Sequence, residues 1–214
     1  MNIGIIGSSG VAKTLAQGFL RNGDAVRLGS REPAKLEGWI EEIDNADLSA
    51  GTNAEAARYG EIVVIATGWS GTENAIALAG PENFSDKVVI DVTNPLDASG
   101  GPPPTLAVGY PLSSGLIIQR LLPDANVVKA FNIVSAAIMI DPSMANGTPV
   151  LFIAGDDERA KAEVERIARG WGWSEVHDAG GIDNSYLLEA LAMLWITHGF
   201  ATQSWTHAFG LVGR

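Results

Sequence analysis

Two short segments near the N-terminus carry residue types suited to holding a phosphorylated ligand. The first is Gly7-Ser8-Ser9-Gly10-Val11-Ala12, which follows the apolar run 2–6 and opens a helical pattern. Small residues at a strand-to-helix turn let backbone approach a pyrophosphate, and the free N–H groups of the helix's first turn point at it. Read as G-x-G-x-x-[GA], the motif is Gly7, Ser9 and Ala12, with Ser at the second glycine position and Gly10 beside it. The hexapeptide alone also suits an ordinary structural turn. The second segment is Leu28-Gly29-Ser30-Arg31. A dinucleotide fold that takes a free ribose 2′-hydroxyl places an acidic side chain about 20 residues after the glycines. Here a hydroxyl and a guanidinium stand in that place. A carboxylate would repel a 2′-phosphate, whereas Ser30 and Arg31 would bind one, so the pair points to NADP(H).

Groups able to move a proton are few. Hydride transfer to a carbonyl or imine calls for a proton donor. The chain has no lysine after Lys161, and its last helical region offers Glu189, His198 and His207. Glu189 suits a helix dipole or a backbone cap better than chemistry, and a single His on an apolar helix is more often a core residue than an acid. His177, His198 and His207 lack i,i+4 spacing, and there is no cysteine, so neither a metal cluster nor a thiol nucleophile is indicated. No Ser-His-Asp set is suggested, and no residue is assigned as catalytic. A flavin-like ring would need no acid. Hydride goes to one ring atom, ring resonance absorbs the electrons, and the protein supplies stacking, orientation and exclusion of water.

The elements that must position these groups alternate. Apolar strand-like runs fall at 3–6, 25–28, 62–66, 88–92, 126–131, 150–154 and 175–177, with a weaker one at 47–49. Helical stretches lie between them at 11–21, 33–43, 54–59, 71–79, 114–122 and 157–169. Such alternation predicts an α/β, doubly wound, mostly parallel sheet of Rossmann type. Two regions break the pattern. Residues 95–111 include Gly100-Gly101-Pro102-Pro103-Pro104 and cannot be helical; they form either an ordered rim of the ligand site or a long surface connection. Residues 182–211 are apolar nearly all round at Leu187, Leu188, Leu191, Met193, Leu194, Trp195 and Ile196. A helix of that kind is buried. Polar interruptions at Thr197, His198, Thr202, Gln203 and Ser204 rule out a membrane span. Burial against a second subunit is the simplest account. The expected organisation is an NADP-binding unit over 1–181 and a C-terminal helical segment over 182–214, serving as dimer interface and active-site wall.

Composition narrows the partners. A 214-residue chain that is 46% hydrophobic can bury a substantial core. A net charge of −11 argues against nucleic acid and anionic membranes as partners. Absence of cysteine, of a basic leader and of a long apolar run fits a cytoplasmic protein.

Several segments together resemble one family. They are Gly7-Ser8-Ser9-Gly10-Val11-Ala12-Lys13, Leu28-Gly29-Ser30-Arg31, Asp91-Val92-Thr93-Asn94-Pro95, Val127-Val128-Lys129-Ala130-Phe131-Asn132 and Phe152-Ile153-Ala154-Gly155-Asp156-Asp157. In order and spacing the chain is similar to the NADPH:deazaflavin-coenzyme (coenzyme F420) oxidoreductases, and to the cytosolic reductase domain of the six-transmembrane metalloreductases. The resemblance implies a homodimer, NADP(H), and hydride exchange with a deazaflavin or flavin ring as small-molecule acceptor. It assigns Ser8, Ser9, Gly10, Val11 and Ala12 to the pyrophosphate, and Ser30 with Arg31 to the 2′-phosphate, assisted by Lys35. Thr67 and Gly68 would border the adenosine side. Asn94, Pro95, Ala130, Phe131 and Asn132 would border the nicotinamide side. The family pattern has His at the position of Asn132, and residues 98–110 depart from it. Two other readings stay open: reduction of a small carbonyl or imine, with His198 or a bound water as acid, and a non-catalytic NADP(H)-sensing module. The acceptor pocket is expected between Asn132, the 95–110 loop and the C-terminal helix, mainly apolar, with Trp69, Phe131 or Trp195 to stack on a flat ring.

Overall fold

Strands alternate with helices along most of the chain in the computed structural model, which describes residues 1–213. The strands are β1 (Asn2–Ile6), β2 (Ala25–Gly29), β3 (Leu48–Gly51), β4 (Ile62–Ile65), β5 (Val88–Asp91), β6 (Leu96–Asp97), β7 (Thr105–Leu106), β8 (Asn126–Lys129), β9 (Val150–Gly155) and β10 (Glu175–Asp178). The helices are α1 (Gly10–Arg21), α2 (Glu37–Ile43), α3 (Asn53–Tyr59), α4 (Trp69–Ala79), α5 (Ser114–Leu121), α6 (Ala136–Ile140), α7 (Glu158–Gly170) and α8 (Ser185–Thr202). The main sheet runs β10-β9-β8-β5-β4-β1-β2-β3. Every pair in it is parallel except β8 with β9, so the sheet is mostly parallel, as expected.

All four residues of β4 are buried, as a central strand covered on both faces requires. The two-residue period sorts side chains between two cores. Ile3, Ile5 and Val64 pack with Leu15, Ala16 and Phe19 of α1. Ile6, Val63 and Ile65 pack with Ile76 of α4 and Ile118 of α5. Helix α1 forms because Ala12, Leu15, Ala16 and Phe19 recur at helical spacing on one buried face. The register aligns Gly29, Ile6, Ile65, Asp91 and Lys129 in one row across five strands. Their carboxyl ends therefore open onto one edge. The strand order reverses there between β1 and β4, which is where open α/β sheets take their ligands.

Four elements differ from the sequence reading. The 33–43 stretch splits into a 3-10 turn, Pro33–Leu36, and α2, because Pro33 starts a turn that α2 does not continue. Residues 95–111 contain an antiparallel hairpin in which Leu96 faces Leu106, with the Gly-Pro tip exposed. The short α6 was not anticipated. Finally, the C-terminal helix ends at Thr202 instead of reaching 211. Gln203 adopts a left-handed conformation (φ 52°), and 203–213 run back without regular structure. Gly199 makes this return possible, since a Cβ there would lie 2.6 Å from the Trp205 ring.

Helix α8 buries one stripe, Leu188, Ala192, Trp195, Ile196 and Gly199. Leu188 and Ala192 join the main core. Leu187 and Leu194 on the other side stay 47% and 59% exposed, so burial all round is not achieved within one chain. Among the described residues no helix is long and apolar enough to cross a membrane.

Candidate cofactor and acceptor site

Two adjoining cavities lie along the carboxyl edge of the sheet. The first, about 430 Å³, brings together Gly7, Ser8 and Ser9 after β1, Ser30, Arg31 and Lys35 after β2, and Thr67 and Gly68 after β4. Gly7 has φ +137°, and a Cβ there would lie 2.5 Å from the Ala66 carbonyl oxygen, so the tight turn requires glycine. Gly10 has the opposite reason: a Cβ would meet nothing within 4 Å, which leaves backbone open for close approach. The first turn of α1 carries no acidic residue, and Ser9 does not cap it. Ser9 Oγ instead donates to the Ala66 carbonyl at 3.4 Å. The first-turn N–H groups are thus left for an anion.

The residues after β2 give the other end of this cavity a hydroxyl and charged groups. Ser30 Oγ accepts from the Glu32 N–H at 3.1 Å, which leaves its own O–H proton free to donate. Lys35 pairs with Glu32 at 2.8 Å. That hydrogen bond and charge, with Arg31 adding less, hold the Glu32 carboxyl below its ordinary range. Lys13, seated over the Trp39 ring at 5.0 Å, completes a group of three cations in a chain of net charge −11. Lys13, Glu32, Asn53 and Asn74 also line this cavity and were not singled out from the sequence. An alternation of charges on a turn predicts no single pocket, although Glu32 directly follows Arg31.

The second cavity, about 530 Å³, shares Ser9, Ala66, Thr67 and Gly68 with the first and continues over β4, β5 and β8. Val11, Asn94, Leu96, Asn132, Trp69 and Trp195 are on its wall, with 134–136 and Met139. Asn94 Nδ2 donates to the Asn132 carbonyl at 2.8 Å. Asn132 Nδ2 donates to Asn94 Oδ1 at 3.0 Å and to the Leu188 carbonyl at 3.1 Å. Asn132 Oδ1 is buried without a partner, an acceptor that a bound amide would satisfy. Helix α4 adds a second N-terminus with neither a side-chain cap nor an acid in its first turn.

Trp195 is fixed from behind by the returning chain. Its Nε1 donates to the His207 carbonyl at 2.8 Å, and the His207 ring stacks on it at 4.9 Å. Trp69 and Trp195 both reach the wall of this cavity. Phe131 does not. Its backbone turns left-handed (φ 63°), and its ring is buried 5.2 Å from Trp171. Ala12 and Ala130 are core residues, Pro95 is buried at the hairpin neck, and neither cavity's wall includes these three or Gly10. From the 95–110 loop only Leu96, with the neighbouring Asn94, reaches the wall, because the hairpin carries the rest outward. His198 is exposed, lies edge-on to His207 at 4.6 Å, and is not on the wall. Among the described residues, no acidic, basic or phenolic side chain lines this second cavity.

Behind the second cavity, joined to its wall through Thr93, lies a charged network that sequence reasoning missed. Lys129 Nζ, fully buried, donates to Asp91 Oδ2 at 2.9 Å, to Ser114 Oγ at 2.7 Å and to the Thr93 carbonyl, and lies 3.3 Å from Glu189 Oε1. Glu189 Oε1 accepts from Ser114 N–H at 2.8 Å, Ser114 Oγ at 2.7 Å and Gly115 N–H at 3.3 Å. Glu189 is thus a backbone cap, but of α5 and not of its own helix. The available signal was an Asp and a Lys each closing an otherwise apolar strand.

A family model described as NADP oxidoreductase, coenzyme F420-dependent, matches residues 2–95. The metalloreductase STEAP3 of Rattus norvegicus is 27% identical over 192 residues, covering 89% of this chain and 36% of that protein. The chain thus spans about a third of that relative. The F420-dependent NADP reductase of Methanocaldococcus jannaschii is 27% identical over 210 residues, covering 92% of this chain and 91% of the relative. A crystal structure from Arthrobacter sp. FB24, provisionally assigned as an F420-dependent NADP-reductase, superposes with TM-score 0.94 and 34% identity over 100% of both chains. At that identity over full length, the chain belongs to the coenzyme F420-dependent NADP oxidoreductase family, a family of NADP-linked enzymes.

Proposed function

We propose that the chain is a cytoplasmic NADPH-dependent reductase that exchanges hydride with a deazaflavin or flavin-type ring. Bound NADPH would supply a hydride from its nicotinamide. Ser8 and Ser9, with the open backbone of Gly10 beside them, hold the pyrophosphate at the α1 N-terminus, and Ser30, Arg31 and Lys35 hold the 2′-phosphate. Thr67 and Gly68 flank the adenosine half. Asn94 and Asn132 orient the carboxamide, with Asn132 Oδ1 accepting its N–H. Trp69 and Trp195 sandwich the ring and exclude water. One observation carries the choice of acceptor: among the described residues, the cavity beyond the cofactor groove is walled without an acidic, basic or phenolic side chain. A ring acceptor needs none in the transition state, whereas carbonyl or imine reduction gains about 10²–10⁴-fold from a positioned acid. His198, the acid named for that second reading, is off the wall. We further propose a homodimer in which a second copy covers Leu187 and Leu194. Oxidation of NADPH with riboflavin or 5-deazariboflavin, set beside a panel of small ketones and imines, tests the reading. Turnover with the rings supports it, and turnover confined to the ketones or imines overturns it.

A further inference from the structure

We infer that the acceptor is a flat ring with an uncharged side chain, and that rings bearing phosphate or carboxylate groups are disfavoured. The inference rests on the ring reading above and deepens it. The first cavity gathers Lys13, Arg31 and Lys35, whereas the second has no cation on its wall among the described residues. Apart from Ser9 and Val11, its walls come from chain segments in which Lys and Arg are missing altogether: none occurs at 59–86, 88–119, 130–158 or 170–213. Lys129, the one cation under this edge, is fully buried and already engaged by Asp91 and Ser114. With NADP⁺ filling the first cavity and engaging its cations, the net charge of −11 works against a further anion.

Coenzyme F420 carries a phosphodiester and glutamyl carboxylates on its side chain, and FMN carries a phosphate. Anions of this kind are met in proteins by Arg, Lys or helix N-termini. The α1 N-terminus is committed to the pyrophosphate, and the uncapped N-terminus of α4 opens at Gly68 and Gly71 on the first cavity, beside the same cofactor. What the second cavity offers is Ser70, Thr93, Asn94 and Ser135, which suit hydroxyls and ring carbonyls, together with the indoles of Trp69 and Trp195. A riboflavin-like or deazariboflavin-like molecule matches that set. In the reaction, the C4–H bond of the dihydronicotinamide breaks as the C5–H bond of 5-deazariboflavin forms. The electron pair travels with the hydrogen, ring N1 takes a proton from water, and NADP⁺ remains.

The test is equilibrium binding of riboflavin, FMN and coenzyme F420 to the NADP⁺-loaded protein, followed by fluorescence quenching at low and high salt. Riboflavin should bind at least about fourfold more tightly than FMN at low salt. That is the effect of two unit charges about 10 Å from one net negative charge in water. Coenzyme F420 should bind more weakly still, and salt should narrow both gaps. Leu96→Lys, which places a cation on the wall, should reverse the order of riboflavin and FMN. Tighter or equal binding of FMN or coenzyme F420 by the wild-type protein, weakening as salt rises, would overturn the inference. So would a Leu96→Lys protein that binds NADP⁺ normally yet leaves the ratio unchanged. Failure of all three rings to bind, with NADP⁺ still held, would overturn the ring reading itself.

Discussion

Replacing Lys129 with Met removes the one cation from a site holding two buried carboxylates. The Lys129 ammonium is fully enclosed, 2.9 Å from Asp91 and 3.3 Å from Glu189, whose side chains are 0% and 1% exposed. Methionine fills much the same volume, so cavity formation adds little and the change isolates charge. Breaking a buried ion pair from one side costs about 3–5 kcal/mol, mostly as the penalty of the carboxylate left behind. A domain of this size has about 5–15 kcal/mol in total. Each kcal/mol shifts Tm by roughly 2–4 °C at this length, so Lys129→Met should lower Tm by about 6–20 °C at pH 7. Circular dichroism melting, with urea titration as a second probe, reads this directly. Adding Glu189→Gln to Lys129→Met should recover part of the loss, because one uncompensated charge is gone. Residues in one network couple by about 0.5–3 kcal/mol. A Tm drop under about 2 °C, or a double variant whose losses simply add, would refute the network as the clamp between α8, α5 and the strand ends.

Arg31→Ala should weaken NADPH binding by about 10- to 150-fold, the worth of a charged hydrogen bond of roughly 1.5–3 kcal/mol, while NADH binding changes little; calorimetric titration with both cofactors measures it, and equal losses would remove Arg31 from the 2′-phosphate. His198→Ala should reduce turnover with a ring acceptor by less than about tenfold, since His198 is off the cavity wall; a loss of about 10²-fold or more with NADPH binding intact would restore the carbonyl or imine reading. Light scattering at micromolar concentration should give twice the 22.4 kDa chain mass, and Leu194→Glu should halve it; a wild-type monomer would leave the exposed Leu187 and Leu194 without a second copy.

How much was legible follows the range of the interactions. Strands such as Ile62–Ile65 and Val88–Asp91 read directly because a strand covered on both faces is a continuous apolar run. The residues of the first cavity were grouped by short-range signals, because Gly7, Ser8 and Ser9 share one turn and Ser30-Arg31 directly follow one strand. The acceptor side was blurred because its walls are assembled from 66–70, 92–96, 132–139 and 195–196. No periodicity announces that Phe131 turns inward at positive φ while Asn132 stays on the wall. The Lys129 network joins residues 38 and 75 positions apart, Asp91 with Lys129 and Ser114 with Glu189, so no window contains it. Helix α8 misled for a different reason. Its apolar surface all round was read as continuous helix to 211, yet the chain turns at Gln203, and the tail returns over Trp195 and on to the start of β9, where the Val150 N–H donates to the Phe209 carbonyl at 2.9 Å.

Transfer of deuterium from 4-deuterated NADPH to 5-deazariboflavin, read by mass spectrometry of the reduced ring, tests the central claim most directly, because a hydrogen delivered to carbon does not exchange with water. The stereospecifically labelled cofactor should place one deuterium at ring C5 from one face of the nicotinamide, and the other face should deliver none. A reduced ring without label, or no ring reduction by a protein that binds NADPH, would contradict it.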